Sequence, residues 1–199
     1  MYAPQAIDYI LRLVTASDAL LSLEDAKEHL RVDFDDEDAY IASLVAAAQD
    51  LIDGPDGMVG KAIASQTWRY GIKRPLARVH LPVVPVQSVT SMAYYDEANT
   101  EQALDLSDFT FLASEDVAYI EPKSGVSWPA MYDRADALNI TFLAGFGAVS
   151  DAPQALVHAL KLMIYHWYEN RQDVEATQMH HIPLGAQALI NRYRIGWIK

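Results

Sequence analysis

The 199-residue chain is 51% hydrophobic and 21% charged, which is enough apolar material for a real core and fits one ordinary domain or two small ones. Its 27 acidic and 15 basic residues leave a formal charge of -12, which repels phosphate backbones and anionic lipids and argues against ordinary nucleic-acid binding through Lys and Arg. There is no cysteine, so disulfides and thiolate metal sites are excluded, and no apolar run approaches the roughly 20 residues that span a bilayer.

In chain order, the first segment, MYAPQAIDYILRLV, interrupts its apolar character with Asp8 and Arg12 and has neither a basic leader nor a cleavage site. It is not read as a secretory signal, and the lack of cysteine fits a reducing cytoplasm. Ile7, Ile10, Leu11 and Val14 fit a short helix. Ser22 then caps a helix, with Asp25 three residues on completing a box-like pair. That helix should run through Ala26 and Leu30 to near Val32. Asp33-Phe34-Asp35 reads as a turn, with Asp35 or Asp36 capping a second helix. Ile41, Leu44, Val45, Ala48, Leu51 and Ile52 follow the i, i+3, i+4, i+7 rule, and Asp53-Gly54-Pro55-Asp56-Gly57 stops the pattern.

From Ser65 the pattern turns to strands. Trp68, Tyr70 and Ile72 alternate with Thr67, Arg69 and Gly71. Leu81-Pro82 and Val84-Pro85 keep the chain extended. Residues 87–95 read as a strand on composition, although their alternation is imperfect, and a polar turn over 96–100 leads to a partner around Ala103. Further strands are expected at 109–112, 117–120 and 138–142. Many short strands between turn signals suggest an antiparallel sandwich or barrel. Asp151-Ala152-Pro153 opens a long helix whose main apolar face is Leu156, Leu160, Met163, Ile164 and Trp167. Leu162 and Tyr165 add apolar surface elsewhere, so cover on more than one side is expected. Residues 185–193 form a last short helix.

Chemistry is sought and not found. Asp33 to Asp38 fails as a calcium loop, because positions six and twelve hold Asp38 and Leu44 where Gly and Glu are needed. A helix N-terminus dressed with carboxylates accounts for the cluster. His158, His166, Glu169, His180 and His181 match no zinc spacing. No G-x-S-x-G elbow and no phosphate-binding loop occurs. The expectation is a chain that is not an enzyme, without cofactor or metal.

Several segments resemble the head-tail connector (adaptor) family of tailed phages and gene transfer agents. The fullest is LSLEDAKEHLRVDFDDEDAYIASLVAAAQD, residues 21–50. QTWR (66–69), LPVVPVQSV (81–89), Tyr94-Tyr95-Asp96, Trp128-Pro129, ITFLAGFG (140–147), HWYENR (166–171) and LINRYR (189–194) follow in the family's order. The resemblance implies that residues 10–16 are extended, against the helix read from their periodicity. It also implies an α+β fold, a small helical core with an inserted antiparallel β domain, sandwich or barrel-like. The chain would divide into 1–64, the N-terminal helical part of the core, 65–148, the inserted β-rich domain, and 149–199, a long helix and docking tail.

In function the resemblance implies a structural subunit, a homo-oligomeric ring of twelve at the head-tail interface of a virion, made in the bacterial host cytoplasm. Its partners would be the portal protein, tail-side connector or stopper proteins and its own copies. DNA would pass through the channel without specific binding. Asp33, Asp35, Asp36 and Glu37 are candidates to face that channel, where a repulsive wall lets DNA slide. Arg192, Tyr193, Arg194, Ile195 and Trp197 make an apolar, basic end on an acidic protein and are candidates for a partner interface. This tail is expected to be loosely ordered in the free subunit and to fold on docking, the alternative being that it packs back on its own helices. The competing readings are a small-ligand or carbohydrate-binding β module with helical flanks and a metal-dependent hydrolase using the C-terminal histidines.

Overall fold

A computed structural model describes residues 9–170 and 182–195. They form two compact units, each with its own core. One takes in residues 9–16 and Ser65–Gly145, the other Ser17–Ala64 with the described part of 146–199.

The helical unit contains α1 (Leu23–Leu30), α2 (Asp38–Ile52), α3 (Gln154–Glu169) and α4 (Leu184–Tyr193). Ser22 caps α1 as expected. Its Oγ accepts from the Asp25 N–H at 3.0 Å, and its hydroxyl donates to the Asp25 carboxylate at 2.5 Å. The Asp25 carboxylate therefore returns to the Ser22 hydroxyl and not to the Ser22 main-chain N–H, the reciprocal half of a full capping box. Arg31, left-handed at φ 58°, ends α1 short of Val32. Neither Asp35 nor Asp36 caps α2. Glu37 takes that position and makes no side-chain cap, its carboxylate accepting from Tyr168, while the Asp35 carboxylate is drawn to Lys27.

The core of this unit joins Ile41, Val45, Ala48 and Ile52 of α2 to Leu156, Ala159, Leu160, Met163 and Ile164 of α3, with Ala186 and Ile190 from α4. Each fully buried Leu or Ile here contributes about 1.5–3 kcal/mol of transfer free energy. Leu44 is partly covered and Leu51 is 38% exposed, so the buried stripe is narrower than its periodicity. Leu162 is partly buried, whereas Tyr165 faces water, so the expected cover on that side of α3 is incomplete.

The β unit holds two open antiparallel sheets and no closed barrel. The larger has the order β1-β2-β8-β4-β5, from Tyr9–Thr15, Gln66–Ile72, Leu138–Ala144, Val86–Tyr95 and Glu101–Leu104. The smaller has the order β3-β7-β6, from Val79–His80, Ala118–Pro122 and Phe109–Ala113. The first segment is thus a strand and not the helix its periodicity suggested. A seven-residue helix is marginal in water. Pairing Tyr9 with Ile72 through Leu13 with Trp68 satisfies the backbone instead, and the Tyr9 and Tyr70 rings meet at 5.7 Å.

β8 supplies the inner row of Leu138, Ile140, Phe142 and Ala144, all with no exposure. Between them Asn139 is buried but satisfied, accepting from Arg69 Nε at 3.2 Å and donating to the Asp136 carbonyl at 2.9 Å. Gly71 lies opposite, where a Cβ would come within 3.1 Å of the Asn139 Oδ1. Sequence alternation failed in β4 for a reason visible in its register. Bulges between Val86 and Ser88 and between Val89 and Ser91 each insert a residue. Val86, Val89 and Met92, three apart, therefore pair with Ala144, Phe142 and Ile140 on one face.

Candidate functional site

The strongest electrostatic feature lies on the helical unit. Residues 17–64 carry 12 acidic and 3 basic side chains, a formal -9, whereas 146–199 carry 4 acidic and 5 basic ones. The α1–α2 turn holds the densest part of it. Lys27 leaves α1 to donate to Asp35 at 2.7 Å and to Asp38 at 2.6 Å, and only 15% of its side chain reaches water. That hydrogen bond holds the Asp35 carboxyl below the ordinary carboxylate value, and it raises the Lys27 ammonium in turn. Asp33 and Asp36 project into solvent. Glu37 accepts from the Tyr168 hydroxyl, whose ring lies 6.3 Å from that of Tyr40. Of the four channel candidates, then, two project freely, one is bound to Lys27 and one is tied to α3.

Beside this turn a groove of about 490 Å³ is lined by Leu23, Glu24, Lys27, Glu28, Val32 and Asp38. Leu23 and Val32 supply its apolar surface. Glu24 and Glu28 are exposed on it, and neither is joined to a base among the described residues.

The C-terminal candidates fall into two groups. Tyr193 ends α4 and sets its ring edge-on to Phe146 at 6.3 Å, and the Ile195 N–H donates to the Val59 carbonyl at 3.1 Å. The Ile195 side chain also lies over Gly60, whose φ is +71°. These two residues pack back on their own unit, a correction to the expectation of a loosely ordered segment. Ile195 gains a main-chain partner and a glycine surface there. Arg192 and Arg194 remain exposed. Trp197 lies outside the described residues.

Among the described residues no three His, Asp or Glu side chains converge to hold a metal. His166 is engaged locally, its Nδ1 3.2 Å from Asn170 Nδ2, and His158 is exposed. His180 and His181 lie outside the described residues. In the β unit a groove of about 250 Å³ is lined by Gln87, Ser88, Val89, Leu106, Phe109, Phe111 and Ile120. Gln87 turns its amide nitrogen to Ser65 Oγ at 2.9 Å and to the Gly145 carbonyl at 3.1 Å, leaving a mostly apolar floor with little to orient a sugar.

Sequence reasoning missed the loop between β2 and β3. Residues 73–78 read Lys-Arg-Pro-Leu-Ala-Arg, and Leu76 at its tip is 78% exposed. The loop is firmly held. Trp128 Nε1 donates to the Leu76 carbonyl at 2.9 Å and stacks on Phe109 at 4.8 Å, Lys73 meets Asp133 at 2.8 Å, and Arg78 meets Glu121 at 2.9 Å. A leucine between cations beside a proline was the available signal.

Residues 21–103 match the model of the family described as Phage gp6-like head-tail connector protein. No curated protein matches the chain. Among solved structures the chain is similar to one in the neck of an empty gene transfer agent particle, computed with C6 symmetry. The two are 27% identical with a TM-score of 0.71, over 96% of this chain and 97% of the other. A chain from the virion of a native gene transfer agent particle aligns over the same shares at 26% identity and a TM-score of 0.69. One from the neck of a native particle, computed with C12 symmetry, does so at 25% and 0.69. Among the described residues no helix is long and apolar enough to cross a membrane.

Proposed function

We propose that this chain belongs to the head-tail connector family and is a structural subunit of a virion that assembles as a ring below the portal, extends the DNA channel and offers the tail its docking surface. The observation that carries this reading is a fold shared along nearly the whole chain with neck proteins of gene transfer agent particles. The family match alone covers α1 to the middle of β5. The solved necks were computed with six- and twelve-fold symmetry, which supports a ring.

The roles of individual residues follow from charge and exposure. Asp33 and Asp36 present fixed negative charge that a neighbouring base does not neutralise, which suits a wall past which DNA must slide. Asp35 and Glu37 hold the turn in place through Lys27 and Tyr168. Among the described residues Arg192 and Arg194 are exposed cations near the end of the sequence, and they are assigned to the portal contact together with residues 196–199. The subunit acts by geometry and charge, without a reaction of its own. In a producing strain lacking this chain, DNA-filled heads without tails should accumulate, and purified chain added to them should restore tailing. Normal tailed particles from that strain would overturn the reading.

A further inference from the structure

A closed ring of identical subunits needs two different patches on each copy, one complementary to the other. The described residues offer such a pair. The α1–α2 groove has Leu23 and Val32 as apolar surface and Glu24 and Glu28 at its rim, in a stretch of formal charge -9. Its one cation, Lys27, is occupied by Asp35 and Asp38. Loop 73–78 carries the opposite character. Leu76 stands exposed, and the neighbouring Arg74, 79% exposed, comes no closer than 3.9 Å to an Asp133 already held by Lys73 at 2.8 Å. The Trp128 hydrogen bond and the Lys73 and Arg78 ion pairs hold the loop in place, which pre-organises Leu76 and Arg74 for a partner.

Resting on the ring reading, we infer that the 73–78 loop of one copy seats Leu76 between Leu23 and Val32 of the next, with Arg74 meeting Glu24 and Glu28. The partner is a second copy of this chain, chosen by the match of an acidic apolar groove to a basic apolar knob. The contact repeats head to tail and covers on each copy the exposed Leu76 and the apolar surface of the groove.

The test uses the full chain with its portal, in three arms. Arg74→Glu and Glu28→Lys should each weaken self-association about tenfold, and the two together in one chain should restore most of it. Because the chain lacks cysteine, mixing Val32→Cys with Leu76→Cys and oxidising mildly should give a covalent dimer, while either variant alone gives none. Rings that form normally with each charge reversal, or intact rings without the mixed disulfide, would overturn this contact and leave the ring reading standing. Wild-type protein that stays monomeric with its portal would overturn both.

Discussion

Phe142 pairs across the sheet with Trp68 on one side and Val89 on the other, with no exposure. Its truncation leaves a cavity that two flanking strands cannot close. Phe142→Ala should therefore cost about 3–5 kcal/mol in denaturant unfolding; an unchanged midpoint would place the residue outside the core. This position was legible from alternation in 138–142. Asp136 was not: its partner Arg134 is only two residues away, but the guanidinium is positioned by the Tyr95 ring, distant in sequence. Arg134 grips it through Nε at 2.6 Å and Nη2 at 3.1 Å while lying 3.7 Å over the Tyr95 ring, and that hydrogen bonding depresses the Asp136 carboxyl. A carboxyl depressed in the folded state adds stability above its unfolded value, near 3.8, that is lost as pH falls through the folded one. Asp136→Asn should flatten the acid limb of the stability profile below about pH 4 and leave its shape near neutrality alone, as urea melts across pH would read out. The acidic turn shows the same division. Its composition was plain, but the engagement of Asp35 by a lysine eight residues earlier depends on α1 ending at Arg31.

Among the elements, those with strong local signals were found close to their bounds: α1 through its Ser22 cap, α2 through its apolar stripe, and α4 at 184–193 against an expected 185–193. Two others were obscured by non-local pairing. β1 has no helical partner face but a full antiparallel neighbour in β2, and β4 hides its period behind two bulges. The turn closing α2 depends on backbone closeness that composition alone does not reveal. A Cβ at Gly57 would fall 2.6 Å from the Ile52 carbonyl oxygen and closer still to that of Asp53, both main-chain atoms that cannot swing aside. Gly57→Ala should thus destabilise the helical unit by roughly 1–3 kcal/mol, and a melt equal to wild type would show that the turn relaxes freely.

At the scale of the whole molecule, an acidic chain with a basic, partly apolar end becomes intelligible as one member of an assembly. Ile195 is anchored at Val59, so removing residues 196–199 should leave the melting transition within about 0.5 kcal/mol of wild type while abolishing portal binding. Retained binding would remove the tail from the interface. The segment's apolar, basic character was legible early, whereas the backward packing of Tyr193 and Ile195 depends on Phe146 and Val59, far away in sequence. The most direct measurement of the central claim is electron microscopy of the purified chain mixed with its cognate portal. Rings of this chain stacked coaxially on portal rings around an open channel are the expected result. Portal rings left bare, with the chain scattered as single subunits, would contradict it.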